Sequence, residues 1–171
     1  MLTTEHHPQF FTATILEWKP LLAEDKYQNI ILDSLRFLVS EQRVKVNSFV
    51  IMSNHIHIIW HAINGFTPQQ VQHSFLKFTA QQIKFDLQKG NPQLLQQFRV
   101  NAADREFQFW ERNPLAIDLY SHEVYMQKLE YIHYNPVEAG LCFLPEDYYY
   151  SSARFYEKLQ DDFGFLTHWQ E

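Results

Sequence analysis

The chain has 171 residues, with 14 Lys and Arg against 20 Asp and Glu, a formal net charge of −6. That length fits one domain with a sizeable core, and 46% apolar against 20% charged residues excludes a disordered chain. The acidic balance excludes nucleic-acid binding by bulk charge; any such role must rest on a local basic groove, a bound metal or stacking rings, of which there are 15 Phe, nine Tyr and four Trp.

Residues 10–18 (FFTATILEW) are β-branched and aromatic, which predicts a strand ended by Pro20. Residues 25–42 are helical, because Tyr27, Ile30, Ile31, Leu35 and Leu38 recur at helical spacing. Strands at 44–52 and 55–63 flank the polar pair Ser53-Asn54 and read as a hairpin. After the turn Asn64-Gly65, Thr67 predicts an N-cap with Pro68 at the first helical position. That helix runs to about Lys89, with Val71, Phe75, Phe78, Ile83 and Phe85 near one face, and stops at Gly90-Asn91-Pro92. Residues 92–104 read as a short helix or a loop.

Residues 106–111 (EFQFWE) alternate, which predicts the fourth strand. Ser121 caps a helix to about Pro136, with Gly140 as the stop, and Ser151-Ser152 cap a short helix over 152–160. One domain over 8–157 is expected, followed by a loosely held tail, 158–171, which Phe163, Phe165 and Trp169 would have to dock. The order β-α-β-β-α-β is that of the α+β, ferredoxin-like (RRM-like) split βαβ plan. It predicts an antiparallel sheet of four to five strands with helices on one face, plus the C-terminal helix. This plan hosts many functions, so function has to come from a site.

The single cysteine, Cys142, excludes an internal disulfide and a Cys-based zinc cluster, and suits a reducing cytoplasm. Its thiol is expected to be buried and inert. The start has no basic flank and no apolar stretch, and no run approaches a membrane span, so a cytoplasmic protein without a membrane partner is expected. With four Gly and no G-x-x-x-x-G-K pattern, a phosphate-binding loop of that kind is excluded.

His55 and His57 are two apart on a predicted strand, so both imidazoles face one side while Ile56 and Ile58 face the other. Two neutral imidazoles side by side can share a divalent ion; a histidine pair on a solvated sheet face is the competing reading. On the 121–136 helix, Tyr131 and Asn135 are four apart and share a face with Lys128 and Val124. Tyr125, Leu129 and Ile132 form the apolar stripe. Tyr131 lies about 100° from Ile132, at the flank, where a hydroxyl reaches the sheet. The bland alternative is an amphipathic tyrosine covering the core edge, and Tyr134/Glu138 and Tyr156/Gln160 share the same spacing.

Lys77, Lys84, Lys89, Arg99, Arg105 and Arg112 interleave with Phe75, Phe78, Phe85, Phe98 and Trp110, which suits a groove for a single strand or, equally, solvated charges over a core. Trp18, Trp60 and Trp110 fall on predicted strands and read as core. His6, His7, His61, His73, His122, His133 and His168 have no informative spacing. Asp118, Glu123, Glu130 and Glu138 are available carboxylates that nothing selects.

Taken together, five blocks in order resemble the single-tyrosine HUH transposases, particularly the REP-associated tyrosine transposases, over about residues 8–157. The stretch VIMSNHIHII at 50–59 is similar to the family's V-x-M-P-N-H-x-H strand, with Ser53 in place of the usual proline and no ligand lost. FLKFT at 75–79 resembles the F-K-x-x-T helix, and Phe109-Trp110-Glu111 the short W-E/Q strand. LEYIHYNPVEAGL at 129–141 is similar to the Y-I-H-x-N-P-V-x-A-G block, and residues 145–154 resemble the segment that follows it.

The resemblance implies that His55, His57 and Asn135 bind a divalent metal, Mg²⁺ or Mn²⁺, and that Tyr131 is the catalytic nucleophile, with Tyr134 the lesser candidate. It implies cleavage of single-stranded, hairpin-containing DNA with a covalent 5′-phosphotyrosine and a free 3′-OH, by a monomer or a homodimer. With the acidic balance, the strand is expected in a groove between the 67–89 helix and the 92–112 segment, contacted by Lys77, Lys84 and Arg112. Two other functions remain open. One is a non-catalytic module of this family that binds single-stranded nucleic acid. The other is a metal-dependent phosphodiesterase that uses water, with Tyr131 structural.

Overall fold

The structure, a computed structural model, describes residues 6–171. Alternating side chains build β1 (Gln9–Thr14), β2 (Val44–Ile51) and β3 (His55–Ala62). With β4 (Leu115–Asp118) they form an antiparallel sheet in the order β2-β3-β1-β4. The crossovers are α1 (Asp25–Ser40) and α2 (Pro68–Gly90), so the expected split βαβ plan holds.

The two sheet faces bury different partners. Phe11, Ala13, Ile56, Ile58 and Trp60 pack with α1 and α2 in the larger core. Phe10, Val50 and Ile59 face the other way and meet Leu129 and Ile132 of α4 (His122–Glu138). A bulge between Val46 and Ser48 makes this division possible. The extra residue flips the alternation, so Val44, Val46, Phe49 and Ile51 all reach the larger core while Val50 turns to α4.

Capping fixes the helix starts. Thr67 and Gln70 close a capping box on α2, with Pro68 at the first turn. Ser121 Oγ accepts from Val124 N at the start of α4. α4 passes Pro136 by two residues, because a proline near the C-terminal end removes only one late hydrogen bond. Gly140, at φ 75°, supplies the left-handed stop.

Several elements differ from expectation. The first strand ends at Thr14; Ile15 makes only a bridge to Trp110, and residues 16–18 form a tight turn with Glu17 at φ 55° and Trp18 at φ 59°. Trp18 is therefore 63% exposed rather than core. The alternating segment 106–111 is not the fourth strand. It makes single bridges to Arg99 and Ile15, and Trp110 Nε1 donates to Thr79 Oγ1 on α2 (3.0 Å). Its alternation reflects docking across a helix rather than along the sheet. The true edge strand, β4, escaped notice because Leu115 and Ala116 are exposed and carry no apolar rhythm. In 92–104 the only helix is α3 (Pro92–Gln96). The tail is docked: Leu166 bridges Val46, and Phe163 and Phe165 are buried against Phe49 of β2 and Arg36 of α1, after the short helix α5 (Ala153–Lys158). Cys142 is partly exposed rather than buried, and its thiol is pushed up by what burial it has and by Asp147 and Glu146. No helix among the described residues is long and apolar enough to cross a membrane.

A buried polar network ties α4 to β2. Ser152 Oγ accepts from Phe49 N (3.0 Å) and pairs with His133 Nε2 (2.8 Å). Burial holds the His133 imidazole down at about 4, below its ordinary 6.5. The unfolded chain therefore binds more protons between those values, and stability present above about pH 6.5 should drain as pH falls towards 4. Urea unfolding should show a loss of roughly 1–3 kcal/mol for Ser152→Ala at unchanged slope, since two buried groups lose a partner. The acid sensitivity in that window should lessen in His133→Gln, the part due to His57 and His55 remaining.

Candidate functional site

The site lies where β1 and β3 meet α4. Register sets the histidines: Thr12 is opposite His57, and Thr14 is opposite His55. The two rings sit 4.8 Å apart, centroid to centroid, edge to face. His55 Nδ1–H donates to Asn54 Oδ1 (2.8 Å), which leaves the His55 Nε2 lone pair free. His57 Nδ1 pairs with Thr12 Oγ1 (2.7 Å), and Phe10 stacks on the same ring at 5.3 Å. Each ring is thus fixed through Nδ1, with Nε2 left over.

From the other side, α4 delivers Tyr131, Lys128 and Asn135. The Tyr131 ring is 5.2 Å from the His57 ring, and 48% of the residue is open to solvent. Lys128 Nζ lies 4.8 Å above the Phe10 ring and 5.8 Å from the Tyr131 ring. Asn135 lies against His55, where its amide opposes the effect of burial on that ring. It makes no well-formed bond there: Asn135 Oδ1 is buried without a partner, and so is His57 Nε2. Leaving two such atoms unpaired costs about 1–3 kcal/mol each, and a cation held by these residues would remove that cost. Two imidazole nitrogens and one amide oxygen suit a divalent ion and leave positions for other oxygens.

The electrostatics agree with that chemistry. Burial lowers His55, and burial with His55 and Lys128 nearby lowers His57 to about 3. Both shifts favour the neutral ring that a metal ligand needs. Among the described residues no three His, Cys, Asp or Glu side chains are grouped to hold an ion. Of the carboxylates left open by the sequence, Asp118 accepts from Gln9 and Tyr120, and Glu123, Glu130 and Glu138 are exposed. Tyr134 is also exposed, at 46%, but makes none of the ring contacts described for Tyr131.

A groove of about 710 Å³ runs between α2 and residues 104–114. Lys77, Lys84 and Arg112 all line it, with Phe107 and Trp110. Lys84 Nζ lies 5.7 Å over the Phe107 ring. Asp104 escaped sequence reasoning: it accepts from Arg112 (2.8 Å) and Arg105 (3.0 Å), and those guanidiniums hold its carboxyl down at about 2. Thr12, Asn54 and Lys128 were missed as well. Lys128 carries a sequence signal in its place on the Tyr131 stripe, and Asn54 in its place before His55 in the 50–59 block; Thr12 carries none.

No protein-family model matches the chain, and no curated protein matches it. A solved structure of a REP-associated tyrosine transposase bound to a REP hairpin is similar, with a TM-score of 0.65 at 16% identity over 94% of this chain and 86% of that one. A putative transposase from Deinococcus radiodurans matches at a TM-score of 0.47 and 12% identity, over 76% of this chain and 90% of that one. The first likeness establishes a shared fold, in agreement with the plan expected from the sequence.

Nitrogen-detected NMR should find His57 neutral at pH 5, because its pKa is held near 3. A ring titrating near pH 6 would contradict the buried placement.

Proposed function

We propose that the protein is a transposase-like single-stranded DNA nickase and strand transferase with Tyr131 as nucleophile. The observation that carries this reading is the Tyr131 ring at 5.2 Å from His57, beside two buried acceptors that lack partners. The hairpin bound by the structural neighbour supports a hairpin-containing strand as substrate.

His55, His57 and Asn135 would hold the divalent cation, Mg²⁺ or Mn²⁺. Bound there, it supplies Lewis-acid polarisation of the scissile phosphate. The remaining work belongs to the side chains. Thr12 and Asn54 keep each Nε2 turned towards the phosphate side. Tyr131 Oη forms the new bond to phosphorus and gives its proton to water; the bond to the 3′ oxygen breaks, and that oxygen leaves with the electron pair and takes a proton. A phenol is a weak nucleophile at neutral pH, so charge compensation matters. Lys128, beside Tyr131, places a cation where negative charge develops. The phosphotyrosine keeps the energy of the broken ester, so the 3′-OH can attack it and reseal the strand without ATP.

The groove supplies affinity that the net charge of −6 does not. Lys77 and Lys84 form no ion pair among the described residues and are free for phosphates, whereas Asp104 neutralises part of Arg105 and Arg112. Support for the strand lying here is the convergence of these cations with the partly exposed Phe107 ring.

Labelled hairpin DNA with Mn²⁺ or Mg²⁺, resolved on a denaturing protein gel, tests the chemistry. The expected result is a covalent protein–DNA band absent from Tyr131→Phe. Cutting that survives Tyr131→Phe would assign the reaction to water, and bound but uncut DNA would make the protein a binding module. His57→Ala should abolish metal-dependent cutting with an unchanged circular dichroism spectrum. For the groove, Lys77→Gln and Lys84→Gln should each reduce the log–log salt slope of binding by roughly 0.7. Asp104→Asn should tighten binding several-fold by freeing two guanidiniums.

A further inference from the structure

We propose that Trp18 is a nucleobase platform: its indole stacks on a base next to the cleaved phosphate and so fixes which bond of the strand meets the histidine pair. This rests on the reading of the substrate as single-stranded DNA. The tryptophans are otherwise withdrawn from solvent. Trp60 and Trp110 are 2% and 6% exposed, and Trp169 packs against the smaller core. Trp18 is 63% exposed, yet its ring makes an edge contact with the His55 ring, 6.3 Å away at 65°. An edge contact leaves ring surface open for a flat partner.

The turn that carries Trp18 is held in an unfavourable conformation. Glu17 and Trp18 are consecutive, both left-handed, and neither is glycine. Several hydrogen bonds enforce the arrangement. Ile15 N donates to Asn54 O (2.9 Å), Leu22 N to Ser53 O (2.8 Å) and Glu17 N to Glu111 Oε1 (2.6 Å). Asn54 touches both parties: its Nδ2 donates to Trp18 O (3.4 Å), and its Oδ1 accepts from His55 Nδ1 (2.8 Å). The indole is therefore registered against the candidate metal ligand by one side chain.

The location also selects the occupant. Glu111 lines the groove, and its backbone N donates to Thr14 O, opposite His55. Trp18 thus touches His55 and is tied, through Glu17 and Glu111, to the lining of the groove, so a strand running from the groove to the histidines would pass it. Lys19, beside it, is neutralised by Glu17 at 2.7 Å, so what the turn offers there is a ring. Aromatic stacking is indifferent to base identity, so the platform sets position rather than sequence.

The test uses the Tyr131→Phe protein, which binds without cutting, and hairpin DNA whose single-stranded flank carries one abasic nucleotide at each position in turn. Trp18→Ala should weaken binding of intact DNA about 5- to 150-fold, the range for one lost stack, and Trp18→Phe should recover most of it. One abasic position should cost the Trp18 protein a similar factor and cost Trp18→Ala nothing. Equal abasic penalties in both proteins, or unchanged affinity in Trp18→Ala, would overturn the platform while leaving the nickase reading standing. Weakened binding accompanied by a halved mass in sedimentation would also overturn it, since Trp18 would then be a contact between two copies. No binding of single-stranded DNA by either protein would overturn both readings.

Discussion

A hydroxyl wedged between a helix and a strand governs the geometry of the whole site. Ser152 Oγ takes Phe49 N from β2 and meets His133 Nε2 from α4, with all three groups buried. Leu129 and Ile132 set how deeply α4 sits on Phe10, Val50 and Ile59, but apolar ridges alone tolerate sliding and rotation. The hydrogen bonds do not, because any other seat leaves buried donors and acceptors unpaired. His133 points about 200° around the helix from Tyr131, so anchoring one side of α4 aims the other at the histidines.

The histidines are prepared by their own strands in the same way. A cross-strand threonine and the preceding asparagine each engage Nδ1, and burial favours the neutral form of both rings. What remains facing α4 is lone pairs. Of the six buried side-chain polar atoms without a partner among the described residues, two, His57 Nε2 and Asn135 Oδ1, belong to this one site, and each carries a desolvation cost. On the proposed reading, that cost is the reason the site selects a cation, and Lys128 is a positive charge beside the reacting tyrosine.

An acidic chain can still present a cationic path. Lys77, Lys84, Arg105 and Arg112 converge on one groove, while Asp104 holds two guanidiniums back at 2.8 and 3.0 Å. A carboxylate in that position resembles a phosphate already in place. On the proposed reading it would tune affinity down and leave discrimination to the hairpin, the candidate metal site and the Trp18 ring.

By itself the sequence determined the α+β plan, the β2–β3 hairpin, the three long helices with the caps of α2 and α4, and the same-face pairing of His55 with His57 and of Tyr131 with Asn135. These follow from local periods of two and 3.6 residues and from capping chemistry, which need no knowledge of distant chain. The likeness of five blocks to a known family then supplied roles, and the tertiary structure brought those residues together. Only that structure decided the rest. Residues 106–111 alternate but dock on α2, β4 pairs despite an exposed and featureless stretch, and the tail seals β2 through Leu166. Trp18 reads as core in a strand and is instead thrust into solvent by a left-handed turn. Those outcomes depend on long-range hydrogen bonds, such as Glu17 N to Glu111 and Trp110 to Thr79, between residues whose separation in sequence carries no local signal.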